Sequence, residues 1–258
     1  MSIALYPDRI AALIRRERLT RFSGGVIGHF WAYLTPIAWI AFVVILFHAL
    51  NRAPPIYVPA EIFVATGILP YLAFRQTITS LSRAIPANRS LLYLPQVTSH
   101  DILTASGLRD GLNLIISALV IFGGITLIYG NRLPADAAQV VTGLALAWFL
   151  AIGVGRFIAA VGLISDSFAR FVPILLRPVF WLSGIFYTAT ELPPAVQDAL
   201  WYSPLLHVTE IVREGYFLGY TSPVATVWYP VFCGAFFYVV ASPIETAIMR
   251  RRIARYRL

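Results

Sequence analysis

Six apolar stretches, each long enough to cross a hydrocarbon core of ~30 Å, divide the chain at roughly 28–50, 61–82, 104–129, 138–164, 172–190 and 225–248. Each predicts a membrane-spanning helix, so the expected fold class is all-α: one polytopic transmembrane domain over residues 1–258. The polar positions between them carry a bias of sign. Arg9, Arg15, Arg16, Arg18 and Arg21 precede the first stretch, Arg83 and Arg89 follow the second, and Arg170 lies between the fourth and fifth. Arg250, Arg251, Arg252, Arg255 and Arg257 follow the last. The alternate connections hold only Arg52, Arg132 and Arg213, and 191–220 is net acidic through Glu191, Asp198, Glu210 and Glu214. Positive residues collect on the cytoplasmic side, which predicts both termini inside.

Shorter patterns fall outside the six stretches. Residues 7–22 predict a basic amphipathic helix with Ile10, Leu13 and Ile14 on one face, suited to the membrane surface. In the cytoplasmic connection 83–101, Asn88, Arg89, Ser90, Leu91, Leu92 and Tyr93 predict a two-turn helix between Pro86 and Pro95. Pro193-Pro194 and Pro204 each start a further helix in 191–220, some 9 to 13 residues long and therefore too short to span. These two are expected to be re-entrant or interfacial.

Composition narrows the chemistry. Apolar residues make up 59% and charged ones 12%, with a mean hydropathy of +0.74, which suits lipid as solvent. The net charge of +8 sits beside membrane spans, so anionic headgroups and topology account for it without nucleic acid. All 20 basic residues are arginine, and a phosphate-binding loop of the Walker A type needs a lysine, so the chain has no ATPase site of that kind. The four histidines are scattered and Cys233 is alone, which argues against a metal centre or a disulfide. Trp181-Leu182-Ser183-Gly184 has tryptophan where an intramembrane serine nucleophile turn needs glycine. The chain is read as a non-enzyme, and any transport it performs takes energy from another subunit or an ion gradient.

Four arginines fall within the stretches: Arg75, Arg109, Arg156 and Arg177, all in the cytoplasmic third. Snorkelling to the inner headgroups is one reading. A partial ring facing a cavity, suited to phosphate or carboxylate cargo, is the other. Aromatic residues accompany them: Tyr33 and Trp39 with Phe30 and Trp31 on the first span, Phe180, Trp181, Phe186 and Tyr187 on the fifth. They read either as an interfacial belt or as a path on which sugar rings stack.

The segments RFSGGVIGHFWAYLTP (21–36), GILPYLAF (67–74), NRSLLYLPQV (88–97), VPILLRPVFWLSGIFY (172–187) and SPLLHVTEIVREGYFLGY (203–220) together resemble the permease subunit of type-2 ABC exporters. They are most similar to the capsular polysaccharide export permeases of Gram-negative bacteria. That resemblance implies an interface helix at 7–22, an ATPase-coupling helix at 86–97, and two periplasmic gate helices within 193–217 carrying Trp201, Tyr202, His207, Glu210, Arg213 and Glu214. It implies a homodimer in the inner membrane whose first and fifth spans line the channel. Two copies of a separate ATPase would bind the ATP and Mg, and a periplasmic polysaccharide co-polymerase adaptor would lead to an outer-membrane pore. The implied cargo is an acidic, lipid-linked polysaccharide. An O-antigen exporter permease is the neighbouring alternative; a small-solute channel or an intramembrane enzyme would require a filter motif or a catalytic pair that the sequence lacks.

Overall fold

The computed structural model of the protein describes residues 10–15, 26–94, 96–130, 133–164 and 168–255, and the side chains of 26–33, 169–170 and 249–255 lie outside that description. Eight α-helices are described: α1 Val26–Ala49, α2 Ala60–Ala87, α3 Ser99–Tyr129, α4 Ala137–Gly162, α5 Phe168–Leu182, α6 Pro194–Leu200, α7 Pro204–Tyr216 and α8 Trp228–Arg255. No strand occurs among the described residues. By length and apolarity α3, α4 and the 228–248 part of α8 can cross a membrane, while Leu34–Ala49 and Phe171–Leu182 are shorter apolar helices.

Helix α2 has 28 residues, ample to span, but Glu61, Arg75 and Gln76 interrupt its apolar run. Twenty of its positions are buried against other helices, among them polar Thr66, Thr77 and Ser82. With α4 it forms the centre of the bundle; α7 and α8 pack on α4, and α3 packs on α2. One close approach makes the α4–α8 contact possible. A Cβ on Gly153 would fall on the carbonyl oxygen of Gly234, so a small residue is required where the backbones meet.

Local signals set the ends of the helices. Thr98 and Asp101 form a reciprocal capping box at the start of α3, with N–H···O distances of 3.0 and 3.2 Å, and the Asp136 carboxylate caps α4 through the Gln139 N–H at 3.0 Å. The fifth stretch departs from expectation. Helix α5 stops at Leu182, well short of 190, because Gly184 adopts φ +76° and turns the chain into a loop ending in a 3₁₀ turn at Ala189–Glu191. Fifteen residues rise only ~22 Å.

Two further segments, 89–93 and 10–15, lie outside the long apolar helices. The expected two-turn helix is a 3₁₀ helix at Arg89–Tyr93. Within the expected 7–22 helix, the described part is helical, and Ile10 and Leu13 are buried against Ala105, with Leu91 beside them. In this described part, Ile10 and Leu13 pack on the bundle.

Candidate translocation site

Phe180 on α5 gathers aromatic rings from α1, α2 and the segment after α5. Its centroid lies 5.4 Å from Trp39 on α1, 5.1 Å from Tyr71 on α2 and 5.2 Å from Phe186 beyond α5. Trp181 stacks on Phe186 at 5.1 Å and stays 61% exposed, and the Tyr187 hydroxyl donates to the Trp181 carbonyl at 3.1 Å. The Arg75 guanidinium sits 5.7 Å from the Trp39 ring, within cation–π range. Residues read separately on the first, second and fifth stretches thus form one cluster. Tyr33 lies outside the described side chains.

The four span arginines sort into two pairs. Arg75 is half-buried and Arg177 is exposed on α5; among the described residues neither has a carboxylate within ion-pair range. Arg109 is buried and donates to Asp110 Oδ1 at 3.0 Å and to Ser80 Oγ on α2 at 2.5 Å. Arg156 is buried too, donating to Glu245 Oε2 at 3.2 Å and to the Tyr238 hydroxyl at 3.1 Å, both on α8. Instead of four guanidiniums on one cavity, two hold helices together.

At the other end of the bundle α7 is almost wholly buried. Arg213 donates to Glu210 Oε1 at 3.0 Å and to the carbonyls of Tyr187 at 2.6 Å and Ile185 at 3.4 Å, and lies 4.2 Å over the Phe63 ring of α2. The Tyr220 hydroxyl donates to the other oxygen of Glu210. Burial and the Glu210 charge both push this phenol upward, so it stays a donor. Glu214 accepts from Gln139 on α4 at 2.9 Å and from the Ser222 N–H at 2.7 Å. Arg213 and Glu214 thus tie the loop after α5, α4 and the approach to α8 to one short helix. Beside them, buried His207 donates from Nε2 to the Trp201 carbonyl at 2.7 Å, and its ring packs on Trp201 and Tyr229. Burial lowers its pKa below the ordinary imidazole value. Trp201 and Tyr202 are exposed, and the Tyr229 hydroxyl donates to the Tyr202 carbonyl at 3.0 Å.

In the 3₁₀ helix, Leu91 and Leu92 are half-buried on a cluster of Leu81, Ala84, Ile102 and Leu163. The Asn88 amide donates back to Ala84 at 3.0 Å, while Arg89, Ser90, Tyr93 and Leu94 are exposed.

The sequence profile of the family described as ABC-2 type transporter matches residues 8–217. The chain belongs to that family. Among its relatives, the capsule polysaccharide export inner-membrane protein CtrC of Neisseria meningitidis serogroup B is 30% identical, over 90% of this chain and 88% of its own. The polysialic acid transport protein KpsM of Escherichia coli is 29% identical over 94% and 93% of the two chains. The capsule polysaccharide export inner-membrane protein BexB of Haemophilus influenzae is 29% identical over 84% and 82%.

As an ABC-2 protein the chain holds residues of structural weight that sequence reasoning passed over: Asp110, Tyr220, Tyr238 and Glu245. A signal existed for two of them. Asp110 and Glu245 are carboxylates inside apolar stretches, and an acid at membrane depth calls for a base at the same depth.

Proposed function

We propose that this chain is the transmembrane subunit of an ATP-driven exporter that moves lipid-linked capsular polysaccharide from cytoplasm to periplasm across the inner membrane. The carrying observation is the similarity, over nearly the whole chain, to relatives named for capsule polysaccharide export and polysialic acid transport. In this reading the chain is one transmembrane domain with six spans and both termini in the cytoplasm, and two copies associate around the path.

Each candidate group then has a physical task. Arg75 and Arg177, span arginines without acidic partners among the described residues, attract the acidic cargo. Trp39, Phe180 and Trp181 offer rings on which the apolar faces of sugars slide without a fixed register. Exposed Tyr93 and Leu94 dock in two separate ATPase subunits that bind ATP and Mg. The 193–217 segment, held by Arg213, closes the periplasmic mouth, where an adaptor of the polysaccharide co-polymerase type passes the polymer to an outer-membrane pore. The test is complementation. A capsule-producing strain deleted for its own permease should regain surface polysaccharide when this chain is supplied with its cognate ATPase, and no gain would count against the proposal.

A further inference from the structure

A crevice of mixed lining, half polar and half apolar, lies between α1, α2 and α3. Pro36 of α1, Gln76 and Thr77 of α2, and Asp110, Asn113 and Ser117 of α3 line it. The last three recur at helical spacing and make a polar stripe along an otherwise apolar helix. Among the described residues, the side chains of Gln76, Thr77, Asn113 and Ser117 make no hydrogen bond, although Thr77 is only 2% exposed. A hydroxyl as buried as that of Thr77 is costly to leave unpartnered unless something else reaches it from the crevice.

The dimensions and the lining define that occupant. The crevice has room for about one water-sized group. Carboxamides and hydroxyls both donate and accept, which matches a hydroxyl group. The Asp110 carboxylate, held by Arg109, disfavours an anion here. On the same helices beside the crevice, Ile37, Leu112 and Ile116 are exposed and apolar, as suits a mouth that opens on acyl chains.

We infer that the furrow between α1, α2 and α3 seats a hydroxyl on the polar head of a membrane-anchored glycolipid, with its ring at the mouth and its lipid among Ile37, Leu112 and Ile116. This rests on the export reading and adds a cargo contact distinct from the aromatic cluster. In the orientation proposed above, Gln76 lies ~24 Å along α2 from its outer end, which puts the seat in the inner half of the bilayer.

A photo-crosslinking amino acid placed at exposed Gln76, in the full export complex in capsule-producing cells, tests it. An adduct carrying the glycan identifies a sugar hydroxyl, and one carrying only the glycolipid's anchor identifies its headgroup; both vanish when glycolipid synthesis is blocked. Adducts only to ordinary phospholipid, to protein or to nothing overturn the inference. In parallel, Asn113→Leu should cut export about tenfold, the worth of one well-made hydrogen bond, with complex assembly unchanged, while Asn113→Ser keeps most of it. Export by Asn113→Leu equal to wild type also overturns it. Restoration of capsule by the wild-type chain keeps the two questions apart: without it the export reading falls, and with it a negative crosslink falls on the furrow alone.

Discussion

The guanidinium of Arg156 on α4 lies 3.2 Å from the carboxylate of Glu245 on α8, both side chains nearly free of solvent. The pair sits on the same two helices whose backbones meet at Gly153 and Gly234. Breaking it from one side leaves an uncompensated buried charge, at a cost of about 3–5 kcal/mol. Arg156→Gln or Glu245→Gln should therefore lower the melting temperature of the detergent-purified protein sharply. The double change Arg156→Met/Glu245→Leu should recover most of it, since neither charge remains. Equal melting of Arg156→Gln and wild type would remove the pair from the list of structural contacts.

Arg75 and Arg177 should behave oppositely. Neither has an acidic partner among the described residues, so Gln at either position should leave melting unchanged. Export should fall by about tenfold or more, the worth of one charge-assisted contact to an acidic sugar. Surface polysaccharide and melting temperature, measured on the same variants, separate the classes. Normal export by both single variants would assign these arginines to lipid headgroups.

Position 93 and position 92 differ in exposure, and that difference makes a matched test of coupling. Tyr93 is exposed and Leu92 is half-buried on the bundle. Tyr93→Asp should abolish co-purification of the ATPase without changing melting. Leu92→Asp should weaken both, because it also puts a charge into an apolar contact. Full ATPase binding by Tyr93→Asp would move the docking surface elsewhere.

His207 gives a pH dependence of defined sign. Burial lowers its pKa below the ordinary imidazole value, so in acid the unfolded chain binds more protons than the folded one. Its contribution to stability is complete above about pH 6.5 and is lost as the pH falls through that value. Melting temperature should drop between about pH 7.5 and about pH 5.5, and His207→Gln should flatten part of that drop. An identical pH profile for wild type and His207→Gln would rule out this contribution.

The helical class and the ranges of α3, α4 and α8 were legible because long apolar runs have few alternatives. The starts of α6 and α7 were legible from Pro194 and Pro204, which preset the first helical turn. The early end of α5 was not, since Gly184 reads as apolar span until its backbone turns left-handed. Pairings were harder still. Position along a helix says nothing of which face Arg109 and Arg156 present, so Asp110 and Glu245 went unmatched. The cluster around Phe180 joins stretches far apart in sequence, and only packing brings Trp39, Tyr71 and Phe186 to one ring.

Reconstitution measures the central proposal most directly. Proteoliposomes containing this chain and its cognate ATPase, supplied on the outside with ATP, Mg and lipid-linked capsular polysaccharide, should accumulate glycan protected from an added glycan hydrolase. Accumulation should require both subunits and stop when ATP is replaced by a non-hydrolysable analogue. Protected glycan that accumulates equally without this chain, or no accumulation although the complex hydrolyses ATP, would contradict its role as the export path.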